Sequence, residues 1–312
     1  MHIVGRFAPS PSGRMHLGNI LCAMLGYLSA KSKGGDYILR IEDLDNIRCT
    51  KENSKQVLDD LDWFGIKFDN INFIKTDIIN NKSIYQSERT DVYKHFEQIL
   101  QDKGLVYPCF CTRAELHTAS APHLSDGRVI YTGTCKNLTA DDIKSKTRKP
   151  AMRVAVPDIK ISFIDGVKGK YTEDLTSECG DFIIKRSDGV YAYQLAVTVD
   201  DALMGVNEVV RGHDLIGSTA RQIWLHELFG FTPPKFYHMP LLVAPDGRRL
   251  SKRDKDLDLG IIRQHMKPQR LIGILAYTCG LIDKKEDISL YELIKTFSWD
   301  KIPNRDLILP EL

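Results

Sequence analysis

Apolar side chains recur at Leu17, Ile20, Leu21, Met24, Leu25 and Leu28, the i, i+3, i+4, i+7 spacing that places them on one face of an α-helix. A short apolar strand precedes this helix at residues 3–7, and a second strand, residues 37–42, follows it. Strand, helix and strand in that order make a βαβ unit, which predicts a parallel sheet with its ligand at the carboxyl ends of the strands. A second helix is predicted over residues 51–64, with Val57, Leu58, Leu61 and Phe64 inward and Gly65 as its stop. A third is predicted over residues 88–103, behind Ser87, with Val92, Phe96, Ile99 and Leu100 inward and Gly104 past its end.

Between residues 107 and 190 the pattern changes to short β-type runs. Strands at 152–156, 159–164 and 182–185, the last returning to Tyr191 through the turn dipeptide Asp188-Gly189, read as a β-rich insertion. The α/β pattern resumes with the apolar run 195–199, a strand at 208–211 and a helix over 219–229 behind Ser218. Pro268 opens one late helix, and the capping box Ser289-x-x-Glu292 opens another. The expected class is α/β. The first half of a doubly wound parallel sheet covers residues 1–106, the insertion 107–190, the second half of the sheet 191–243, and a basic loop with a C-terminal helical segment 244–312.

Composition narrows the options. The 312 residues, 43% hydrophobic and 27% charged, suit a globular chain of about two domains and exclude disorder. Lys and Arg number 43 against 41 Asp and Glu, a net +2, so no global field attracts nucleic acid. RNA contact would use local patches, the densest being Arg248, Arg249, Lys252, Arg253 and Lys255. The longest uncharged stretches, residues 17–30 and 271–282, fall short of the ~18 to 20 apolar residues a bilayer-spanning helix needs, so neither membrane anchor nor signal segment is expected. Seven cysteines, an odd count with no regular framework, point to a reducing compartment, the cytoplasm. A monomer is the default expectation.

The first helix opens with His16-Leu17-Gly18-Asn19, directly after the loop Arg6-Phe7-Ala8-Pro9-Ser10-Pro11-Ser12-Gly13. Unbonded backbone N–H groups and the positive end of the helix dipole favour an anion there, such as a polyphosphate. Neither G-x-x-x-x-G-K-[ST] nor G-x-G-x-x-G occurs, so a nucleotide would be held by another device. A distant cluster, Arg249-Leu250-Ser251-Lys252-Arg253, supplies a lysine that would complete the clamp. When a carboxylate attacks the α-phosphorus of ATP, charge grows on the phosphoryl oxygens as pyrophosphate leaves, and preorganised donors such as His16 and Lys252 accelerate that step. Each motif alone is a weak pattern, and their order and context carry the reading. Separately, Cys109-Phe110-Cys111 and Cys135 have thiols in a spacing suited to a tetrahedral Zn2+ site, with the fourth ligand left open by spacing alone.

Four separated segments then resemble, in order, the catalytic half of class I glutamyl-tRNA synthetases. They are residues 6–19, Arg40-Ile41-Glu42-Asp43-Leu44-Asp45, Val199-Asp200-Asp201 with Val210-Arg211-Gly212-His213-Asp214-Leu215, and Leu250-Ser251-Lys252-Arg253. The resemblance covers nearly the whole chain and is strongest to the family's short, glutamyl-Q-type paralogues, which keep the catalytic core without an anticodon-binding domain. Only 60 residues follow Lys252 (312 minus 252), too few for another helical domain of about 100 residues or more.

The resemblance implies a Rossmann-like class I catalytic core and an ATP-dependent ligase. Glutamate and ATP would give glutamyl-adenylate, and the glutamyl group would pass to the queuosine at the wobble position of tRNA(Asp). A truncated glutamyl-tRNA synthetase charging a tRNA 3' end and a catalytically inactive RNA-binding module are the other readings. The resemblance further implies ATP contacts from Pro9, Ser10, His16, Gly18, Asn19 and Lys252, with His16, Asn19 and Lys252 catalytic. It implies glutamate contacts from Arg6, Ala8, Ser10, Glu42, Tyr193 and Arg211: the arginines for carboxylates, Glu42 with Ser10 for the ammonium, and Tyr193 through its hydroxyl. It implies a structural zinc held by Cys109, Cys111, Tyr131 and Cys135. The spacer before Tyr131 is longer than in similar synthetases and contains His117 and His123, either of which could stand in for the tyrosine. Mg2+ would accompany ATP, with Asp43, Asp45, Asp200 and Asp201 capping and pairing rather than forming a metal cage.

Overall fold

The computed structural model describes residues 1–69, 83–116, 130–244, 247–248 and 258–310. Lys252 and the rest of its basic cluster from Arg249 onward, together with His117 and His123, lie outside the described residues. Strand β1 (Val4–Phe7) leads through the Pro/Gly loop into α1 (Leu17–Ser32) and back to β2 (Asp36–Leu39), which pairs in parallel with β1 from Val4 opposite Asp36 to Phe7 opposite Leu39. This is the expected βαβ unit.

Helix α2 (Lys51–Phe64) carries Thr50 as its N-cap and ends at Gly65, whose φ of 92° suits glycine. Next come α3 (Thr90–Asp102), β3 (Val106–Cys109), α4 (Arg113–Leu116), α5 (Ala140–Lys144), β4 (Ala151–Val154), β5 (Lys160–Asp165), β6 (Gly169–Asp174) and β7 (Phe182–Lys185). β3, β4 and β7 form an antiparallel sheet, and β5 with β6 forms a separate hairpin. Helix α6 (Tyr193–Leu203), β8 (Glu208–Gly212), α7 (Thr219–Leu228) and β9 (Lys235–Met239) return the chain to the main sheet, which is all parallel in the order β2-β1-β8-β9. The remainder is β10 (Leu242–Val243), α8 (Leu259–His265), α9 (Pro268–Thr278), α10 (Leu290–Thr296) and β11 (Leu307–Ile308), with β10 and β11 paired in parallel.

Helix α1 is buried on more than its predicted stripe. Ala23, Ser29 and Ala30 are also enclosed, because α10 packs along it and the Trp299 indole donates to Ser29 Oγ at 2.8 Å. A second apolar core, built from Tyr93, Phe96, Leu175, Phe182, Leu195 and Trp224, joins the antiparallel sheet to α3, α6 and α7. No described helix is long and apolar enough to cross a membrane.

Several boundaries differ from the sequence pattern for local reasons. The strand expected over 37–42 stops at Leu39, where the Arg40 side chain turns to buried acids and Ile41 bridges Tyr85 instead. The helix expected over 88–103 begins at Thr90 after a 3₁₀ turn, Gln86–Arg89, because the Ser87 hydroxyl and N–H are both spent on Asp43. Both late helices open where expected, at Pro268 and at the Ser289/Glu292 box.

Candidate active site

Nearly all of the predicted site lines one cavity of about 680 Å³ at the carboxyl ends of β1 and β8. Arg6, Ala8, Pro9, Ser10, His16, Gly18, Asn19, Glu42, Tyr193 and Arg211 all face it. Lys252 was the other expected member and lies outside the described residues. Leu242 lines the cavity, and Asp258 forms a β-bridge with His16.

The His16-Leu17-Gly18-Asn19 tetrad is a reciprocal helix cap. His16 Nδ1 accepts from Gly18 N–H at 3.1 Å, and Asn19 Oδ1 accepts from His16 N–H at 3.2 Å. A Cβ on Gly18 would sit 3.0 Å from the imidazole, so the glycine lets the ring fold over the first turn. An accepting Nδ1 puts the proton of the neutral ring on Nε2, leaving that edge as a donor.

The loop after β1 is stitched to the chain after β2. Arg40 N–H donates to Phe7 O at 3.0 Å and Glu42 N–H to Pro9 O at 3.0 Å, which carries Glu42 to the cavity beside Ser10. Beneath them lies a buried ion network. Arg6 Nε meets Asp201 at 3.2 Å, while the fully buried Arg40 reaches Asp201 at 2.6 Å and Glu42 at 3.2 Å. Burial works to raise the Asp201 carboxyl, but the guanidinium groups of Arg40 and Arg6 overcome it and hold the group down at about 2. For Glu42 burial wins over Arg40 and Arg6, and its carboxyl lies above the usual range. Asp200 accepts from Gln86, Arg89 and Tyr93, each at 2.8 Å, and lies 3.8 Å from Arg40 Nε. Asp43 accepts from the Ser87 N–H and hydroxyl, and Asp45 pairs with Arg48.

Arg211 is placed differently from Arg6. It is 4% exposed, and its hydrogen bonds go to neutral groups, among them His238 Nε2 at 3.0 Å, Gln222 Oε1 at 2.7 Å and Thr219 Oγ1 at 2.8 Å. It pairs with no carboxylate among the described residues, and burial lowers its pKa even with the Tyr193 hydroxyl beside it. A buried guanidinium without an anion facing a cavity is a receptor for one. Burial likewise keeps the Tyr193 phenol protonated.

The residues 2–303 match the family described as tRNA synthetases class I (E and Q), catalytic domain. The chain belongs to this family. It is 42% identical to a glutamyl-Q tRNA(Asp) synthetase of Symbiobacterium thermophilum and 41% identical to one of Nitratidesulfovibrio vulgaris, in each case over 99% of this chain and 96% of the relative. It superimposes with a TM-score of 0.83 on a crystal structure of a glutamate tRNA ligase from Elizabethkingia meningosepticum in complex with its amino acid, at 28% identity over 99% of this chain and 67% of that one.

In this synthetase the thiols of Cys109, Cys111 and Cys135 form a cluster able to hold a metal ion, apart from the residues lining the cavity. Cys111 Sγ and Cys135 Sγ are 3.6 Å apart, and the Tyr131 hydroxyl is 3.5 Å from Cys109 Sγ and 3.8 Å from Cys111 Sγ. A tetrahedron of 2.3 Å zinc–sulfur bonds has edges of about 3.8 Å, close to these separations. Arg153 lies 3.7 Å over the Tyr131 ring and fixes it.

Sequence reasoning missed Arg40, Asp165 and His238 as supports of the site. Arg40 stood inside a quoted motif, yet nothing local showed that it is buried. Asp201 supplies a test of the network. A carboxyl depressed in the folded state contributes stability above its unfolded pKa and loses it as pH falls through the folded one. The Asp201 contribution should therefore vanish between about pH 4 and about 2, and Asp201→Asn should flatten acid unfolding in that window while lowering stability at neutral pH by about 3–5 kcal/mol. Acid-titration melts followed by circular dichroism read both effects.

Proposed function

We propose that the protein activates L-glutamate with ATP and transfers it to the queuosine of tRNA(Asp). The observation that carries this reading is the anion-free Arg211 guanidinium in a cavity that also presents Glu42 and a neutral Tyr193. A dicarboxylate bearing one ammonium matches that set: Arg211 with Arg6 for carboxylates, Glu42 with Ser10 for the ammonium, the Tyr193 hydroxyl as a further donor, and Ala8 as the loop wall. ATP would lie over Pro9, Ser10, Gly18 and Asn19, with His16 Nε2–H directed at its phosphates and Lys252 closing the clamp. The glutamate carboxylate oxygen attacks the α-phosphorus, pyrophosphate leaves with Mg2+, and no side chain becomes covalently attached, so positioning and electrostatics supply the acceleration.

The identity and two-sided coverage of the glutamyl-Q relatives support the queuosine acceptor over a tRNA 3' end. Seven free cysteines suit a reducing compartment such as the cytoplasm. The metal is Zn2+, with Tyr131 as fourth ligand, and its task is to fasten the β3–β4 region, which has little apolar core of its own.

Three measurements check these points. Glutamate-dependent exchange between pyrophosphate and ATP should proceed without RNA, and labelled glutamate should appear on the wobble nucleotide of tRNA(Asp); dependence on tRNA(Glu), or label on a 3' end, would reject the acceptor. Lys252→Ala should slow the exchange at least tenfold, about 1.4 kcal/mol of barrier; an unchanged rate removes that lysine from the mechanism. Elemental analysis should find one zinc per chain, lost in Cys109→Ser, and metal-free protein of full stability would reject the site.

A further inference from the structure

Arg211 and His238 stand directly opposite each other in the parallel pairing of β8 with β9. His238 is fully buried, stacked on Phe236, and its Nε2 faces Arg211 Nε at 3.0 Å and the Thr219 hydroxyl at 3.2 Å. On its other edge, Nδ1 lies 2.6 Å from Asp165 Oδ2. Asp165 belongs to neither strand. It ends β5, in the hairpin between the two halves of the main sheet, and is 2% exposed.

The hairpin tip is docked by its backbone. Gly166 N–H donates to Phe236 O at 2.9 Å, and a Cβ on Gly166 would meet the Tyr237 ring at 2.1 Å, so the approach requires glycine. Asp165 Oδ1 accepts from Val167 N–H at 3.0 Å and Lys168 N–H at 2.8 Å, and the His238 N–H is shared between Oδ1 at 3.2 Å and Oδ2 at 3.1 Å. Its other oxygen is thereby aimed at the imidazole.

We propose that Asp165 and His238 are positioning residues of the glutamate pocket, holding the Arg211 guanidinium through a single imidazole tautomer. The chemistry admits one arrangement. Arginine only donates, so His238 Nε2 must accept; the ring proton then sits on Nδ1 and goes to an ionised carboxylate, which only accepts. Burial, opposed by Asp165 and reinforced by Arg211, pushes His238 down to about 4, so the ring is neutral throughout the working pH range. Asp165 is held below the usual carboxylate range: burial would raise it, and the hydrogen bond from His238 overrides that effect. The hairpin thus reaches the substrate pocket through one side chain and fixes the direction in which Arg211 presents its remaining N–H groups.

This inference rests on the reading of Arg211 as the carboxylate receptor, and the variants separate the two. In Asp165→Asn the amide oxygen is claimed by the Val167 and Lys168 N–H groups, which turns the NH₂ toward Nδ1. The imidazole then carries its proton on Nε2, donor against the Arg211 donor. In the exchange assay the KM for glutamate should rise about tenfold or more in this variant, with the KM for ATP nearly unchanged. His238→Leu should do the same, and His238→Gln, which keeps an acceptor near the Nε2 position, should restore the glutamate KM to within about threefold of wild type. Ring ¹⁵N NMR should show Nδ1–H for His238 in the parent protein and Nε2–H in Asp165→Asn.

A parent Nε2–H tautomer, or a wild-type glutamate KM in both Asp165→Asn and His238→Leu, overturns the proposal. Should Asp165→Asn not fold, the contrast between His238→Leu and His238→Gln decides it alone. Arg211→Ala is the control: an unchanged glutamate KM there removes the pocket reading and the proposal together. A raised KM there, with a normal one in Asp165→Asn and His238→Leu, removes the proposal only.

Discussion

Three arginines meet beneath the cavity, and only two of them have an acid. Desolvating a guanidinium is unfavourable unless an anion faces it. Arg6 and Arg40 share Asp201, and Arg40 adds Glu42, whereas Arg211 has neutral hydrogen-bond partners among the described residues. The fold therefore stores an unmet electrostatic demand at one point on the wall of the pocket. A carboxylate placed there would meet it, and the strands, the loop after β1 and the neighbouring helix ends are arranged around that point.

Building such a site takes residues from every part of the chain. β1 brings Arg6, the loop brings Ser10, the turn after β2 brings Glu42, α6 brings Tyr193 and β8 brings Arg211. Parallel pairing of β2, β1 and β8 sets all of these at one sheet edge, the place where the backbone N–H groups of α1 also open. Asp258, the N-cap of α8, joins the same edge through its bridge with His16. Asp165 adds a further source, since the hairpin that carries it lies outside the main sheet yet touches His238 of β9.

The metal cluster and the pocket illustrate two ways of ordering polar groups. At Cys109, Cys111, Tyr131 and Cys135 the groups converge on each other, as suits a closed structural ion. Around Arg211 they converge on empty volume, as suits an exchangeable ligand. The first arrangement leaves room for one ion among its groups, and the second leaves open volume at the sheet edge.

Much of this was written in local sequence. The helical stripe of α1, the limits of α2, the Pro268 and Ser289/Glu292 helix starts and the β-type run from 152 to 185 follow from side-chain periodicity and capping chemistry, which act within a few residues. The pocket residues were legible because their motifs flank those elements. Other features needed the folded chain. β9 was missed because His238, a polar letter, occupies a core position that only Asp165, seventy-three residues earlier, makes tolerable. β6 was missed because Gly169–Asp174 shows no apolar alternation and is defined by its pairing with β5. Whether an arginine is a surface charge or a buried receptor is likewise decided by which acids reach it through space. Sequence carries the short-range terms, and the partners of buried charge are fixed by long-range contacts that no local pattern encodes.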